Sequence, residues 1–227
     1  LTDVGQKRSM NQDSVYARTK SIGSLENLFI VADGMGGHQA GDFASNFVVE
    51  NLVRFFETPY PERDVHGILK EGIRKVNRDL YECTSRDPKL NGAGSTLVLA
   101  TIKGSVLYVA NIGDSRLYLL REALEQITKD HSYVEELVAM GKLKRGSRDY
   151  LEKKNIITRA VGVSAQVDTD LFALKLKSGD QILMCSDGLS NMVDELEIEY
   201  IIRSEDGVES RAKALVDAAN RSGGLDN

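Results

Sequence analysis

The sequence predicts an α+β fold, and two observations carry that expectation. Strand-like apolar runs cluster in the middle of the chain, while helical periodicity comes in pairs on either side of them. The regular strand–helix alternation that builds a doubly wound parallel sheet is absent. The 227 residues suit one domain, 1–227, with a sizeable core.

Each element has its own signal. Residues 28–32 form a short apolar run ending at Asp33-Gly34, which reads as a buried strand and a turn. Phe43, Phe47, Val48, Leu52 and Phe55 recur at helical spacing and predict an amphipathic helix after Gly41. Val65, Ile68, Leu69, Ile73, Val76, Leu80 and Cys83 predict a second helix after Pro61. Residues 96–102 and 106–112, separated by Lys103-Gly104, read as a hairpin. A second strand pair follows at 116–120 and 125–128, then a helix at 133–140. Residues 141–155 are polar and poorly periodic, which predicts a loop or mobile insertion. Strands at 171–176 and 182–185 and helices at 195–203 and 208–219 complete the reading.

Composition excludes several functions. A net charge of −5 argues against a general nucleic-acid binder, which needs a basic surface. No apolar run is long enough to span a membrane, and no secretory leader is read. Cys83 and Cys185 form no CxxC pair, and His38, His66 and His131 are widely spread. A structural zinc site is therefore not expected, and reduced thiols point to the cytoplasm. Asp42 occupies the lysine position a Walker-type loop at Gly36 to Gly41 would require, and Gln39 breaks a GxGxxG pattern. Asn191, six residues after Cys185, stands where a thiol-based phosphatase needs arginine.

The chemistry-bearing residues are aspartates after apolar runs: Asp33, Asp114 and Asp187, joined by Asp226 after a pair of glycines. Taken singly, each Asp-Gly or Gly-Asp is ordinary turn chemistry. Together, carboxylates converging on one sheet rim repel one another unless a cation binds them. Oxygen donors without a His or Cys cluster suit Mg²⁺ or Mn²⁺. Two such ions sharing a carboxylate activate a water for attack on a compact anion, and phosphate is the natural one. Arg8 is the phosphate candidate, because a guanidinium fork matches phosphate oxygens. Its bland reading is a solvated arginine near a terminus. Asp114 also reads as a hairpin-end residue paired with nearby Arg116.

Thr2-Asp3-Val4-Gly5 with Arg8 and Asn11-Gln12-Asp13 resembles the opening motif of the metal-dependent Ser/Thr protein phosphatases of type 2C. Residues 31–38, Val-Ala-Asp-Gly-Met-Gly-Gly-His, resemble the second motif in its bacterial form. Gly94-Ser95-Thr96, Gly113-Asp114-Ser115-Arg116, Thr158-Arg159-Ala160-Val161-Gly162, Ser186-Asp187-Gly188-Leu189 and Gly224-Leu225-Asp226-Asn227 match the others in order. Seven ordered matches are far more specific than any one tetrapeptide.

The resemblance implies a four-layer α-β-β-α sandwich of two antiparallel sheets flanked by helices. It implies two core Mn²⁺ or Mg²⁺ ions, with Asp33 bridging them and the Gly34 carbonyl on the second. Asp187 and Asp226 would complete the first ion's ligands, Arg8 would hold substrate phosphate, and Asp13 would act through metal-bound waters. Asp114 would serve a third, weaker metal position shared with Asp187. The implied substrates are phosphoserine and phosphothreonine proteins, with a cognate Ser/Thr kinase or its substrates as partners and a monomeric state. The alternative class is a catalytically weak homologue acting as a phosphoprotein-binding or regulatory module, which would be expected to lose metal aspartates; the matched ones are all present.

Three departures from the family pattern stand out. Gln12 occupies a position often held by glutamate, removing a negative charge near the metal waters. Met35 stands where eukaryotic members carry a histidine proposed to protonate the leaving group, which leaves His38 or a metal-bound water for that role. Relatives continue past the position of Asn227 into another core strand, so Asp226 is expected to be weakly held.

Overall fold

The computed structural model describes residues 1–60, 64–204 and 206–224, with all of their side chains except those of His38 and Gln39. The chain runs β1 (Asp13–Arg18), β2 (Leu28–Met35), α1 (His38–Glu57), α2 (Val65–Arg86), β3 (Gly94–Ser95), β4 (Leu97–Lys103), β5 (Val106–Ile112) and β6 (Arg116–Leu120). It continues through β7 (Leu124–Gln126), α3 (Tyr133–Ala139), α4 (Arg148–Lys153), β8 (Asp170–Lys175), β9 (Gln181–Cys185), α5 (Asp187–Ser190), α6 (Glu195–Ser204) and α7 (Val208–Arg221). The larger sheet has the order β1-β2-β4-β5-β8 with β3 beside β2, and the smaller has the order β7-β6-β9. Every pairing between these strands is antiparallel.

Side chains alternate across a strand, and here the alternation sorts residues into three apolar layers. Leu28, Ile30 and Ala32 of β2, with Leu97 and Leu99 of β4, face α1 and α2 through Val48, Leu52, Leu69 and Ile73. The intervening Phe29, Val31, Val98 and Ala100 point the other way, meeting Leu117 of β6 and Ile182 and Met184 of β9. Tyr118, Leu120 and Cys185 then face Ile198 and Ile202 of α6 and Leu215 and Ala219 of α7. Helices, sheet, sheet and helices therefore stack as the resemblance implies. The second helix is sharply bounded: Asp64 accepts from the Gly67 N–H at 2.7 Å as its N-cap, a contact worth about 1 kcal/mol. Among the described residues, no helix is long and apolar enough to cross a membrane.

Five elements differ from the sequence expectation. β2 does not end at Asp33-Gly34, because Gly34 and Met35 pair with Ser95 and Gly94 of β3. α1 begins at His38, before Gly41. Residues 141–155 contain one short helix, α4, capped by the Ser147 side chain. β1 and the single turn α5 carry too few apolar residues for a periodic signal: β1 lies at a sheet edge, where Val15 is exposed.

Candidate active site

Strand register gathers the candidate acids at one rim. Asp13 opens β1 directly opposite Asp33 near the end of β2. Leu97 at the start of β4 pairs with Ile112 at the end of β5, just before Asp114. Cys185, which closes β9, pairs with Arg116, which opens β6. Asp187 follows two residues later.

The backbone at Asp33 is fastened on both sides. Its N–H donates to Thr96 Oγ1 at 3.0 Å, and its carbonyl accepts from the Thr96 N–H at 2.8 Å and Ser95 Oγ at 3.0 Å. Thr96 Oγ1 also lies 2.6 Å from Ser115 Oγ, beside Asp114. Asp13 Oδ2 accepts from Ser186 Oγ at 2.6 Å, which ties β1 to the residue before Asp187. Asp187 is the first residue of α5, and Asn191 Nδ2 donates to its Oδ2 at 2.9 Å. Asp33, Asp13, Ser186 and Asp187 are thus linked in sequence across both sheets.

Arg8 and Gln12 join this rim from the N-terminal loop. Gln12 is buried; its carbonyl accepts from the Gly34 N–H at 3.0 Å, and its side-chain oxygen accepts from Arg8 Nη1 at 2.9 Å. Gly34 and Gly41 approach backbone to backbone. A Cβ at Gly34 would lie 1.9 Å from the Gly41 carbonyl oxygen, so no larger residue fits there. Arg8 is exposed and lines a cleft of about 360 Å³ with Gln12, Gly36 and Gly37. The same loop is fastened to the C-terminal segment, since the Gln6 and Lys7 N–H groups both donate to the Gly224 carbonyl, at 2.8 and 3.2 Å.

Asp114 is only 9% exposed. Burial, then the charges of Asp187 and Asp130, push its carboxyl up to about 7. Arg116 does not pair with it as the hairpin reading expected. That guanidinium is instead engaged by Asp130, with Nε–Oδ1 at 3.0 Å and Nη2–Oδ2 at 2.7 Å. The fork geometry explains the choice, because both oxygens of one carboxylate are met at once. Asp114 and Asp187 line a further cleft of about 150 Å³ with Leu151 and Lys154 of the 141–155 segment.

Arg8, Gln12, Asp13, Asp33, Gly34, Asp114 and Asp187 are therefore drawn into one region. Asp226 and the His38 side chain lie outside the described residues. Among the described residues, no group of three or more His, Cys, Asp or Glu is arranged to hold a metal. Sequence reasoning assigned no role to Thr96, Ser115 or Ser186, although each sits in a matched motif. It also missed Asn191 and His131, for which the sequence carries no spacing signal.

The family model described as protein phosphatase 2C matches residues 5–218. A serine/threonine phosphatase, stp, of Listeria monocytogenes is 38% identical over 239 residues, covering 100% of this chain and 90% of the relative. The solved serine/threonine phosphatase of S. agalactiae superimposes with a TM-score of 0.92 at 35% identity, covering 100% of this chain and 93% of that one. The catalytic domain of the phosphatase PstP, solved in complex with two manganese ions, gives 0.86 at 35% identity, covering 100% of this chain and 92% of that one. Family match, full-length identity and shared architecture agree, and the chain belongs to the protein phosphatase 2C family.

Proposed function

We propose that this protein serine/threonine phosphatase hydrolyses phosphoserine and phosphothreonine in proteins, with Asp33, the Gly34 carbonyl, Asp187 and Asp226 holding two divalent cations, Mn²⁺ or Mg²⁺. The observation that carries the reading is the linked series Arg8–Gln12–Gly34 and Asp33–Asp13–Ser186–Asp187. It brings a guanidinium and several carboxylates to one rim. The donors fit hard cations, being oxygen atoms throughout. The raised Asp114 carboxyl is consistent with the fit, since burial first and then the neighbouring charges of Asp187 and Asp130 disfavour its bare anion. PstP with its two manganese ions adds a relative of the same architecture.

When bound, the two cations supply an activated water and neutralise charge developing on the phosphate oxygens. Arg8 contributes the guanidinium that orients the phosphate, and Gln12 steers it by accepting from Nη1. Asp13, fixed by Ser186, would order the waters around bound ions. Asp114, with Asp187, would hold a third and weaker cation. We further propose a cytoplasmic setting, with which two free thiols agree, a monomeric state, and action on targets of a cognate Ser/Thr kinase or on the kinase itself. Release of phosphate from a phosphothreonine peptide is expected with Mn²⁺ and not with a chelator; turnover undiminished by chelation would refute the assignment.

A further inference from the structure

His131 is buried, 6% exposed, and has no part in the roles assigned above. Its ring reaches two separate parts of the molecule. On one side, Nδ1 accepts from the Gly113 N–H at 3.1 Å, while the His131 N–H donates to the Gly113 carbonyl at 2.9 Å. Both polar groups of residue 113 are thus held by residue 131. On the other side, Nε2 stands 3.2 Å from Asp170 Oδ2 and 3.3 Å from Arg159 Nη1. An Nδ1 that accepts carries no proton, so the ring proton sits on Nε2 and is donated to Asp170. Burial lowers the imidazole pKa and Arg159 reinforces this, against the opposing pull of Asp170. The neutral ring is the form that can accept from Gly113.

Gly113 needs such a brace. Its φ of +98° lies where only glycine is comfortable, and a Cβ there would stand 2.8 Å from the Thr96 side chain. Glycine, the freest residue type, therefore precedes Asp114, and a stiffer one would be strained there. The segment bearing His131 also braces the neighbours of Asp114. Asn111 Nδ2 donates to the Lys129 carbonyl at 3.0 Å, Asp130 engages Arg116, and Thr128 Oγ1 accepts from the Leu117 N–H at 3.0 Å.

We propose that His131 is a positioning residue: its neutral imidazole fixes the Gly113 peptide and so sets the Asp114 carboxylate beside Asp187 for the weak third cation. This inference rests on the reading of Asp114 as a cation ligand. A histidine that merely fills the core would affect stability alone.

Two near-isosteres separate the possibilities. In His131→Asn the amide oxygen reaches where Nδ1 does, which keeps the acceptor for Gly113 and drops the Asp170 contact. His131→Gln reaches toward Asp170 and drops that acceptor. Calorimetric counting of bound Mn²⁺ is read alongside the Gly113 amide resonance and the Tm of each variant. His131→Gln is expected to weaken the third ion about tenfold or more, leaving the two tight ions unchanged, while His131→Asn retains it and the wild-type Gly113 resonance. Wild-type binding of the third ion by His131→Gln overturns the proposal. Should His131→Gln not fold, His131→Asn decides: retained weak binding supports the proposal and its loss overturns it. Asp114→Ala separates the two levels. If that variant keeps every ion, the ligand reading fails; if it loses the weak ion while His131→Gln keeps it, only the positioning role fails.

Discussion

Arg8 Nη1 donates to the side-chain oxygen of Gln12 across 2.9 Å, which joins the phosphate candidate to a residue that departs from the family pattern. A neutral amide steers the guanidinium without neutralising it. Arg8→Ala should lower kcat/KM by about 10- to 100-fold, chiefly through KM, since a charge-assisted contact is lost. Arg8→Lys should rescue only in part, because the fork is gone. Gln12→Glu should raise KM by competing for Arg8 while lowering the Mn²⁺ needed for half activation. Steady-state kinetics across a Mn²⁺ series measures all three, and wild-type KM in both Arg8 variants would return Arg8 to the solvated surface.

Gly41 lies against the Gln12 member of this pair. Replacing glycine within a helix by alanine ordinarily stabilises by about 1 kcal/mol. Here the new Cβ would lie 2.2 Å from Gln12 Nε2 and 2.7 Å from the Gly34 carbonyl oxygen. Gly41→Ala should instead destabilise by about 1–3 kcal/mol and displace Gln12 from Arg8. Thermal melts and kcat/KM together check the sign; a stabilised variant with normal kinetics would show that the contact relaxes freely.

Most elements were legible because the inner strands are buried on both faces and so read as continuous apolar runs: Ile30 and Val31, adjacent in β2, belong to different apolar layers. The four-layer order itself came only with the resemblance. β1 was not legible, since an edge strand with Val15 exposed presents little apolar pattern. Asp33 was legible as a candidate but its setting was not: the Asp-Gly pair that signals a turn is here the interior of a strand held by β3. Pairings between distant residues leave no local trace, which is why Ser186 on Asp13, 173 positions apart, and Asp130 on Arg116 emerge only from the folded chain.

For Asp114, burial beside Asp187 replaces the exposed-ion-pair reading. An exposed pair would be worth about 0–1 kcal/mol and its loss would barely register. Asp114→Ala should leave two tightly bound ions and lower turnover, with partial rescue at high Mn²⁺. Activity titration alongside calorimetry tests this, and identity with wild type throughout would make Asp114 structural.

The segment 141–155 borders the cleft lined by Asp114 and Asp187. Arg145 and Tyr150 anchor it to Glu135, at 3.1 and 2.7 Å, and Arg148 pairs with Glu152. Lys142, Lys144, Lys153 and Lys154 make no ion pair among the described residues, and Lys154 faces the Asp114–Asp187 cleft. Replacing these lysines by alanine should slow turnover of an acidic phosphopeptide at low salt more than that of a small aryl phosphate, because steering acts on the charged substrate as a whole. Equal losses on both substrates would count against a peptide-specific role.

The central claim is that carboxylates at this rim hold the cations that hydrolysis requires, and Asp33→Asn and Asp187→Asn test it most directly. Each removes a ligand charge, while the backbone contacts of Asp33 to Thr96 and Ser95 are untouched. Removing one of several mutually repelling carboxylates should cost metal affinity far more than stability. The decisive measurement is Mn²⁺-dependent hydrolysis of a phosphothreonine peptide, taken with calorimetric ion counting and circular dichroism on the same samples. The expected result is a folded protein with wild-type secondary structure, fewer tightly bound ions and no measurable turnover in either variant. A folded variant that turns over peptide at near the wild-type rate would contradict the account.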